Sequence, residues 1–474
     1  MFRRARHSLP KSLNIALISR RLPTAGTATG PGFLRLIARG LALRGHRVTI
    51  ITSDLGPGGS TSLSDGVRVV PITAGRSARA RVALSPSQLR NLSRSARSAR
   101  YQELVRARFL ELHRESPFHV VHSLDASALK LGPLKRDLGF ALAYDVQATQ
   151  MADLFALVGM GQETLGSILS TSFNVGVKFL STYFGGDREL LAHADGIFVA
   201  SPRERLTLER YYMYPDAKIH TVPYGIDIAA TSGAETTAAE NSDGPTPLTA
   251  ENASSRAAWT RTDESHHVVV TVSDMSEVGE MQNLLYAFEQ VAIRKPNARL
   301  IVIGDGPRFK QIEYLTLQLA LGSKVIFAGD LEAADVVRCI QRADVFVNLS
   351  ARTSGFEPSL LEAMARRKLV IGSEVSSISA MIEHGIEGFL VRPADILEIT
   401  DLMLAVFEGR IDTAGVGEAA RAKVSSLFDP EKMVADTLRA YITVLQATGR
   451  YGAYFAAPAP ATGAPPPGAS HATT

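Results

Sequence analysis

Residues 354–365, Ser354-Gly355-Phe356-Glu357-Pro358-Ser359-Leu360-Leu361-Glu362-Ala363-Met364-Ala365, run from a polar, glycine-containing loop straight into a helical segment. Upstream, Asp344-Val345-Phe346-Val347-Asn348-Leu349 reads as a buried parallel strand; downstream, Leu369-Val370-Ile371-Gly372-Ser373 reads as the next one. A strand–loop–helix–strand unit places its loop at the carboxyl edge of the sheet, where open α/β folds bind ligands. Backbone N–H groups at the helix start can take an anion. Glu362, read as the carboxylate at that helix start, can accept hydrogen bonds from a ribose or sugar hydroxyl.

The same alternation extends in both directions. In the first half, Leu13–Ile18 reads as a buried strand, followed by a loop with Gly26, Gly30 and Gly32. An amphipathic helix through Leu36, Ile37, Leu41 and Leu43 then ends at Gly45. Further strands are expected at Val48–Ile51, Val67–Val70, His119–His122, Leu142–Val146, Gly196–Ala200 and Lys218–Val222. The second half restarts the pattern at His267–Val272, with a helix around Leu284, Leu285, Phe288 and Val291 and a strand at Arg299–Ile303. A turn at Gly304-Asp305-Gly306-Pro307 follows, then strands at Lys324–Ala328, Asp344–Leu349, Leu369–Gly372 and Gly388–Val391. Alternation of this kind implies an α/β chain of two Rossmann-like, doubly wound domains facing across a cleft.

Domain boundaries follow composition. Residues 12–228 form the first unit and residues 265–455 the second, which includes a terminal helix. Residues 229–264 are rich in Ala, Thr, Ser, Asn and Glu and read as a disordered linker; residues 456–474, rich in Pro, Ala and Gly, read as a disordered tail. Residues 151–183 read as two helices broken at Gly159-Met160-Gly161. Their apolar side chains either pack on the domain or face a membrane or an acceptor.

Composition narrows the function. With 474 residues, 45% apolar and 21% charged, the chain is expected to be a globular, cytoplasmic protein of two domains. No run reaches the roughly 18 apolar residues of a membrane span, and the basic start Met1–Arg6 has no apolar stretch after it, so no signal peptide is expected. One cysteine, Cys339, leaves no internal disulfide and reads as a thiol in a helical core. Between Arg76 and Arg114 the chain carries many arginines, no lysine, and only Glu103 and Glu111 as acids; Arg90, Arg94, Arg97 and Arg108 fall on one helical face. This segment is either a solvated face or an attachment to the anionic inner face of a membrane. Without interleaved aromatics it does not point to nucleic acid.

Several motifs in order carry a family resemblance. Ile37–Thr49, Arg188–Asp195 leading to Val199-Ala200-Ser201, Lys218–Asp227, Gly304–Pro307 and Leu360–Ala365 together resemble family-4 glycosyltransferases of the GT-B fold. The resemblance covers nearly the whole chain outside the linker and tails. It implies transfer of a sugar from a nucleotide-diphosphate donor to an acceptor not identified by sequence, usually with retention, with no cofactor and no metal. The donor-side residues implied are Gly304, Asp305, Gly306, Arg352, Ser354, Gly355, Phe356 and Glu362; Gly30, Gly32 and Gln147 fall on the first domain's side of the cleft.

The chain departs from that family pattern at five places. Ser354 stands where the family's loop normally opens with glutamate, Asp274 and Gly279 stand for its diphosphate-neutralising arginine and lysine, Gln147 for its histidine, and Ser376-Ser377 for a Gly-Gly turn. Arg20, Arg21, Arg308, Lys310 and Arg352 are candidate replacement cations. Glu357, three residues after Ser354, is the candidate replacement carboxylate and the candidate catalytic residue; its plain alternative is an exposed loop acid. Two readings follow, a transferase with a rearranged site or a catalytically inactive scaffold that binds a ligand or partner. A nicotinamide-dependent oxidoreductase is a third and disfavoured reading, because neither Gly30-Pro31-Gly32 nor Gly304-Asp305-Gly306 completes a Gly-x-Gly-x-x-Gly turn.

Overall fold

The computed structural model describes residues 12–20, 33–53, 66–72, 94–146, 186–226, 265–275, 278–331, 333–350, 357–392 and 394–449. The expected linker, tail, glycine loop and paired helices of 151–183 lie outside the described residues.

The first sheet is built from β1 (Asn14–Ile18), β2 (Arg47–Thr52), β3 (Arg68–Pro71), β4 (Val120–Ser123), β5 (Ala141–Asp145), β6 (Gly196–Val199) and β7 (Ile219–Thr221). Its order is β3-β2-β1-β4-β5-β6-β7, parallel throughout. The helices among these strands include α1 (Phe33–Leu43), α2 (Arg94–Glu115), α3 (Gly186–His193) and α4 (Pro202–Tyr211). The second sheet contains β8 (His267–Val272), β9 (Ala298–Ile303), β10 (Val325–Gly329), β11 (Val345–Asn348), β12 (Leu369–Ser373) and β13 (Phe389–Val391), in the order β10-β9-β8-β11-β12-β13 and again parallel. With it come α5 (Val278–Arg294), α6 (Phe309–Gln318), α7 (Ala333–Arg342), α8 (Pro358–Ala365), α9 (Ile396–Phe407), α10 (Thr413–Leu427) and α11 (Pro430–Ala447). Both orders reverse direction beside the first strand, the doubly wound pattern expected from the alternation.

Burial on both faces explains why the strands read as continuous apolar runs rather than alternating ones. β1, β5 and β12 are buried at every residue. Cys339 lies fully buried on α7, where burial pushes its thiol up to about 12, so it is an inert core group as expected.

The last helix, placed by sequence with the second domain, packs on the first. Met433, Val434, Tyr441, Val444 and Leu445 of α11 share one core with Leu34, Ile37 and Leu41 of α1 and with Leu17, Ile50 and Phe198 of the sheet. The two helices come close at Gly40, where a Cβ would run into the Val434 side chain. Arg44 and Glu431 form an ion pair at 2.6 Å along the same contact.

Candidate functional site

The second sheet reverses its strand order between β8 and β11, the point at which a doubly wound sheet forms its ligand crevice. β8 pairs with β9 over six residues, His267 to Val272, but with β11 only at Val345↔Val269 and Phe346↔Val270. Past Phe346 the pairing of β11 with β8 ends. Val347 contributes to the core beneath α5, whereas Phe346 contributes to the opposite core, the one shared with α8. Strand alternation therefore places Asn348 on the α8 side.

A chain of hydrogen bonds ties this crevice together. Asn348, only 4% exposed, donates from Nδ2 to Glu357 Oε2 at 3.2 Å and accepts at Oδ1 from the Ser350 N–H at 3.0 Å. The Ser373 hydroxyl, at the end of β12, donates to the Ser350 carbonyl. Glu357 sits at the N-cap of α8 but makes no side-chain capping bond to it. It is half-buried and bonded to Asn348, not the exposed loop acid of the plain reading.

Glu362 requires a correction. It is not at the helix start but is the fifth residue of α8, and it forms an ion pair with Arg366 one turn later, whose side chain is 9% exposed. Arg366 also donates to the Glu362 carbonyl at 3.0 Å. The spacing of four residues is visible in the sequence and is the signal for this pair. Arg352, Ser354, Gly355 and Phe356 lie outside the described residues.

Next to the crevice, the Gly304-Asp305-Gly306 turn closes over the end of β8. Gly304 has φ of +112°, its N–H reaches the Gly329 carbonyl at 2.8 Å, and a Cβ there would strike the Ser273 carbonyl oxygen. A Cβ at Gly306 would strike the carbonyl oxygen of Asp274. The turn and the Asp274 backbone are thus locked together, which is why both glycines are required. The electrostatics are acidic. Burial, and then the nearby Asp305 carboxylate, raise the Asp330 carboxyl above its ordinary value, and Asp274 is half-buried at the same edge. Gly279, in the first turn of α5, is exposed, and a Cβ placed there would meet nothing within 4 Å. Among the described residues no group of three or more metal-ligating side chains occurs. Of the candidate cations, Lys310 pairs with Glu313 at 3.0 Å, and Arg308 is the exposed N-cap of α6. Ser376 and Ser377 begin a one-turn helix.

On the first domain, Gly30, Gly32, Arg21 and Gln147 lie outside the described residues. Arg20, just past β1, lies over the Tyr101 ring at 5.3 Å, and its N–H donates to Asp125 Oδ2 at 3.0 Å. This puts one cation at the first sheet's own reversal point.

Behind that edge lies a polar group that sequence reasoning missed. His122 on β4 and Asp145 at the end of β5 are both buried, and two tyrosines from distant segments meet them. His122 Nδ1 is 2.7 Å from the Tyr441 hydroxyl on α11, and the Tyr224 hydroxyl donates to Asp145 Oδ1. His122 Nε2 lies 4.0 Å from Asp145 Oδ2 and has no hydrogen-bond partner among the described residues. Although that separation is within ion-pair reach, burial favours both groups neutral: it holds His122 down to about 3 and pushes Asp145 up to about 8.

The arginine-rich segment forms α2, which starts at Arg94; Arg90 lies outside the described residues. Arg106 pairs with Glu103 at 3.5 Å and Arg108 with Glu111 at 2.6 Å.

Two doubly wound parallel sheets, linked back together by a terminal helix, define a protein of the GT-B type. Residues 33–225 match the glycosyl transferase 4-like domain and residues 257–423 match glycosyl transferases group 1, so that most of the chain belongs to these glycosyltransferases. Among curated proteins it is 30% identical over 183 residues to N-acetyl-alpha-D-glucosaminyl L-malate synthase of Bacillus anthracis, covering 39% of this chain and 47% of that protein. It is 25% identical over 195 residues to the GDP-mannose-dependent monoacylated alpha-(1-6)-phosphatidylinositol monomannoside mannosyltransferase of Corynebacterium glutamicum, covering 40% and 50%. The chain spans about half the length of these curated relatives. Among solved structures, sucrose-phosphate synthase of Thermosynechococcus elongatus superposes with a TM-score of 0.66 at 19% identity, over 92% of this chain and 100% of that one. Anabaena HepE, in complex with UDP and glucose, gives 0.63 at 16% identity, over 90% and 98%.

Proposed function

We propose that this chain is a glycosyltransferase that moves a sugar from a nucleoside-diphosphate donor seated in the β8–β11 crevice. The bond between the anomeric carbon and the diphosphate oxygen breaks, its electron pair leaves on the diphosphate, and an acceptor nucleophile forms the new bond with retention. Glu357 carries the reading. It is a half-buried carboxylate at the head of α8, bonded to Asn348 at the end of β11, and it lies three residues after Ser354 in the sequence. A carboxylate there supports the positive charge that develops on the sugar ring. Glu362 reaches the nucleotide's hydroxyls once its pair with Arg366 is shared. A relative that uses GDP-mannose and a structural neighbour holding UDP and glucose support a nucleotide-sugar donor.

Calorimetric titration with UDP, GDP and ADP, then with their sugar conjugates, tests the proposal. One nucleotide is expected to bind in the micromolar range and Glu362→Ala to abolish that binding while circular dichroism stays native. Failure of every nucleotide to bind the wild-type chain would replace the transferase by the inactive-scaffold reading.

A membrane-surface role for α2 is a second proposal. Arg94–Glu115 holds six arginines against three glutamates, an excess of basic charge on one helix. Sedimentation with phosphatidylserine vesicles is expected to fall as salt rises. Sedimentation indifferent to the anionic lipid would remove this role.

A further inference from the structure

The sheet position at Asn348 is anomalous. It follows Val345, Phe346 and Val347 at the end of a buried strand, and it is itself 4% exposed. An amide there costs free energy unless its groups are satisfied. Its orientation is set by its neighbours, because the Ser350 N–H can only donate and therefore selects Oδ1. That leaves Nδ2 facing outward to the Glu357 carboxylate at 3.2 Å. The anchor extends one strand further, since Ser350 is itself held by the Ser373 hydroxyl at the end of β12. The donor end of the amide thus points at the Glu357 carboxylate, and its acceptor end is fixed to the sheet.

We propose that Asn348 is the positioning residue for Glu357, its Nδ2–H holding that carboxylate in the orientation that serves the departing sugar. The proposal rests on the transferase reading above. Asn348 itself touches no reacting atom; it acts through Glu357, and a displacement of that carboxylate by about 1 Å is enough to cost about a hundredfold in rate.

Asn348→Asp tests it with little change of volume. The introduced carboxylate can still accept from the Ser350 N–H, but it offers Glu357 a like charge in place of a donor. Glu357→Gln reverses the polarity of the partner, so that the double variant again has one donor and one acceptor. Thermal unfolding of the four proteins is measured at pH 5 and pH 7.5, alongside initial rates with the nucleotide sugar found by titration. Asn348→Asp alone is expected to unfold earlier than wild type at pH 7.5 and less so at pH 5, and the double variant to regain the wild-type temperature. The rate is expected to behave differently: Asn348→Asp lowers kcat about a hundredfold with KM for the donor within about twofold, and the double variant stays slow because it lacks the carboxylate.

Equal loss of stability in both backgrounds would mean the two side chains are uncoupled and would overturn the proposal. So would a coupled pair whose Asn348→Asp variant keeps wild-type kcat, which would leave Asn348 a structural residue only. A wild-type chain that binds nucleotide sugars yet transfers none defeats the transferase reading and this role with it. An active wild type with unchanged kcat in the variant defeats only this role.

Discussion

Asp145→Asn is expected to unfold at a higher temperature than the wild-type chain at pH 9 and at nearly the same temperature at pH 4. The Asp145 carboxyl is pushed up to about 8, first by burial and then by the Glu204 charge, against the lowering effect of the Tyr224 hydroxyl. In the unfolded chain it titrates near its ordinary value of 3.8. Between those two values the folded state holds a proton that the unfolded state has lost, so raising the pH removes stability throughout that window and no further above it. Each tenfold change in proton affinity is worth about 1.4 kcal/mol, so the loss is on the order of 6 kcal/mol at most. The asparagine keeps an acceptor for Tyr224 and supplies a donor towards His122 Nε2, which has no hydrogen-bond partner among the described residues. Histidines held neutral by burial, His46, His113, His119, His122 and His220, work in the opposite sense below their ordinary value, and they are common to both proteins. The difference between the two melting curves across pH therefore isolates Asp145. A difference that does not change between pH 4 and pH 9 would show that the carboxyl is ionised in the folded chain.

The pair of substitutions Asp274→Arg and Gly279→Lys is expected to tighten binding of a nucleoside diphosphate by roughly two to four orders of magnitude. Each restored charge-assisted contact to a desolvated phosphate contributes about 1.5–3 kcal/mol. Replacing Asp274 also removes an anion from an edge that already carries Asp305 and Asp330. The lysine meets no obstacle, because the space at Gly279 is open, and a non-glycine residue there favours α5 by about 1 kcal/mol. Calorimetry of the single and double variants against the nucleotide that the wild type binds is the measurement. A folded double variant with wild-type affinity would mean the diphosphate does not approach the end of β8. If affinity rises while transfer does not, the contacts act on the ground state alone.

Much of the fold is legible in the sequence because parallel strands buried on both faces leave plain apolar runs. Val268-Val269-Val270 and Val345-Phe346-Val347 are such runs, and each forms the strand expected. The turn at Gly304 is legible for a different reason: a positive φ and two close carbonyls leave no room for another residue. The site is less legible. Glu362 reads as a helix-start carboxylate only if α8 begins later than Pro358, and its Arg366 partner one turn on is the clue that it does not. Asn348 has a local signal, one amide ending an apolar strand, but its meaning depends on Glu357 returning to it across the loop. The His122–Tyr441 contact joins residues 319 apart in the chain, and no local pattern encodes such a meeting.

The docking of α11 on the first domain has a consequence for synthesis on the ribosome. The first sheet ends at Thr221, yet its core is incomplete without Met433, Val434, Tyr441, Val444 and Leu445. About 200 residues must be translated between the last strand and the helix that seals it, which takes roughly 10–40 s at bacterial or eukaryotic elongation rates. For that interval the face of α1 at Gly40, against which Val434 packs, is left to solvent or to a chaperone, and the second half must emerge before the first can close.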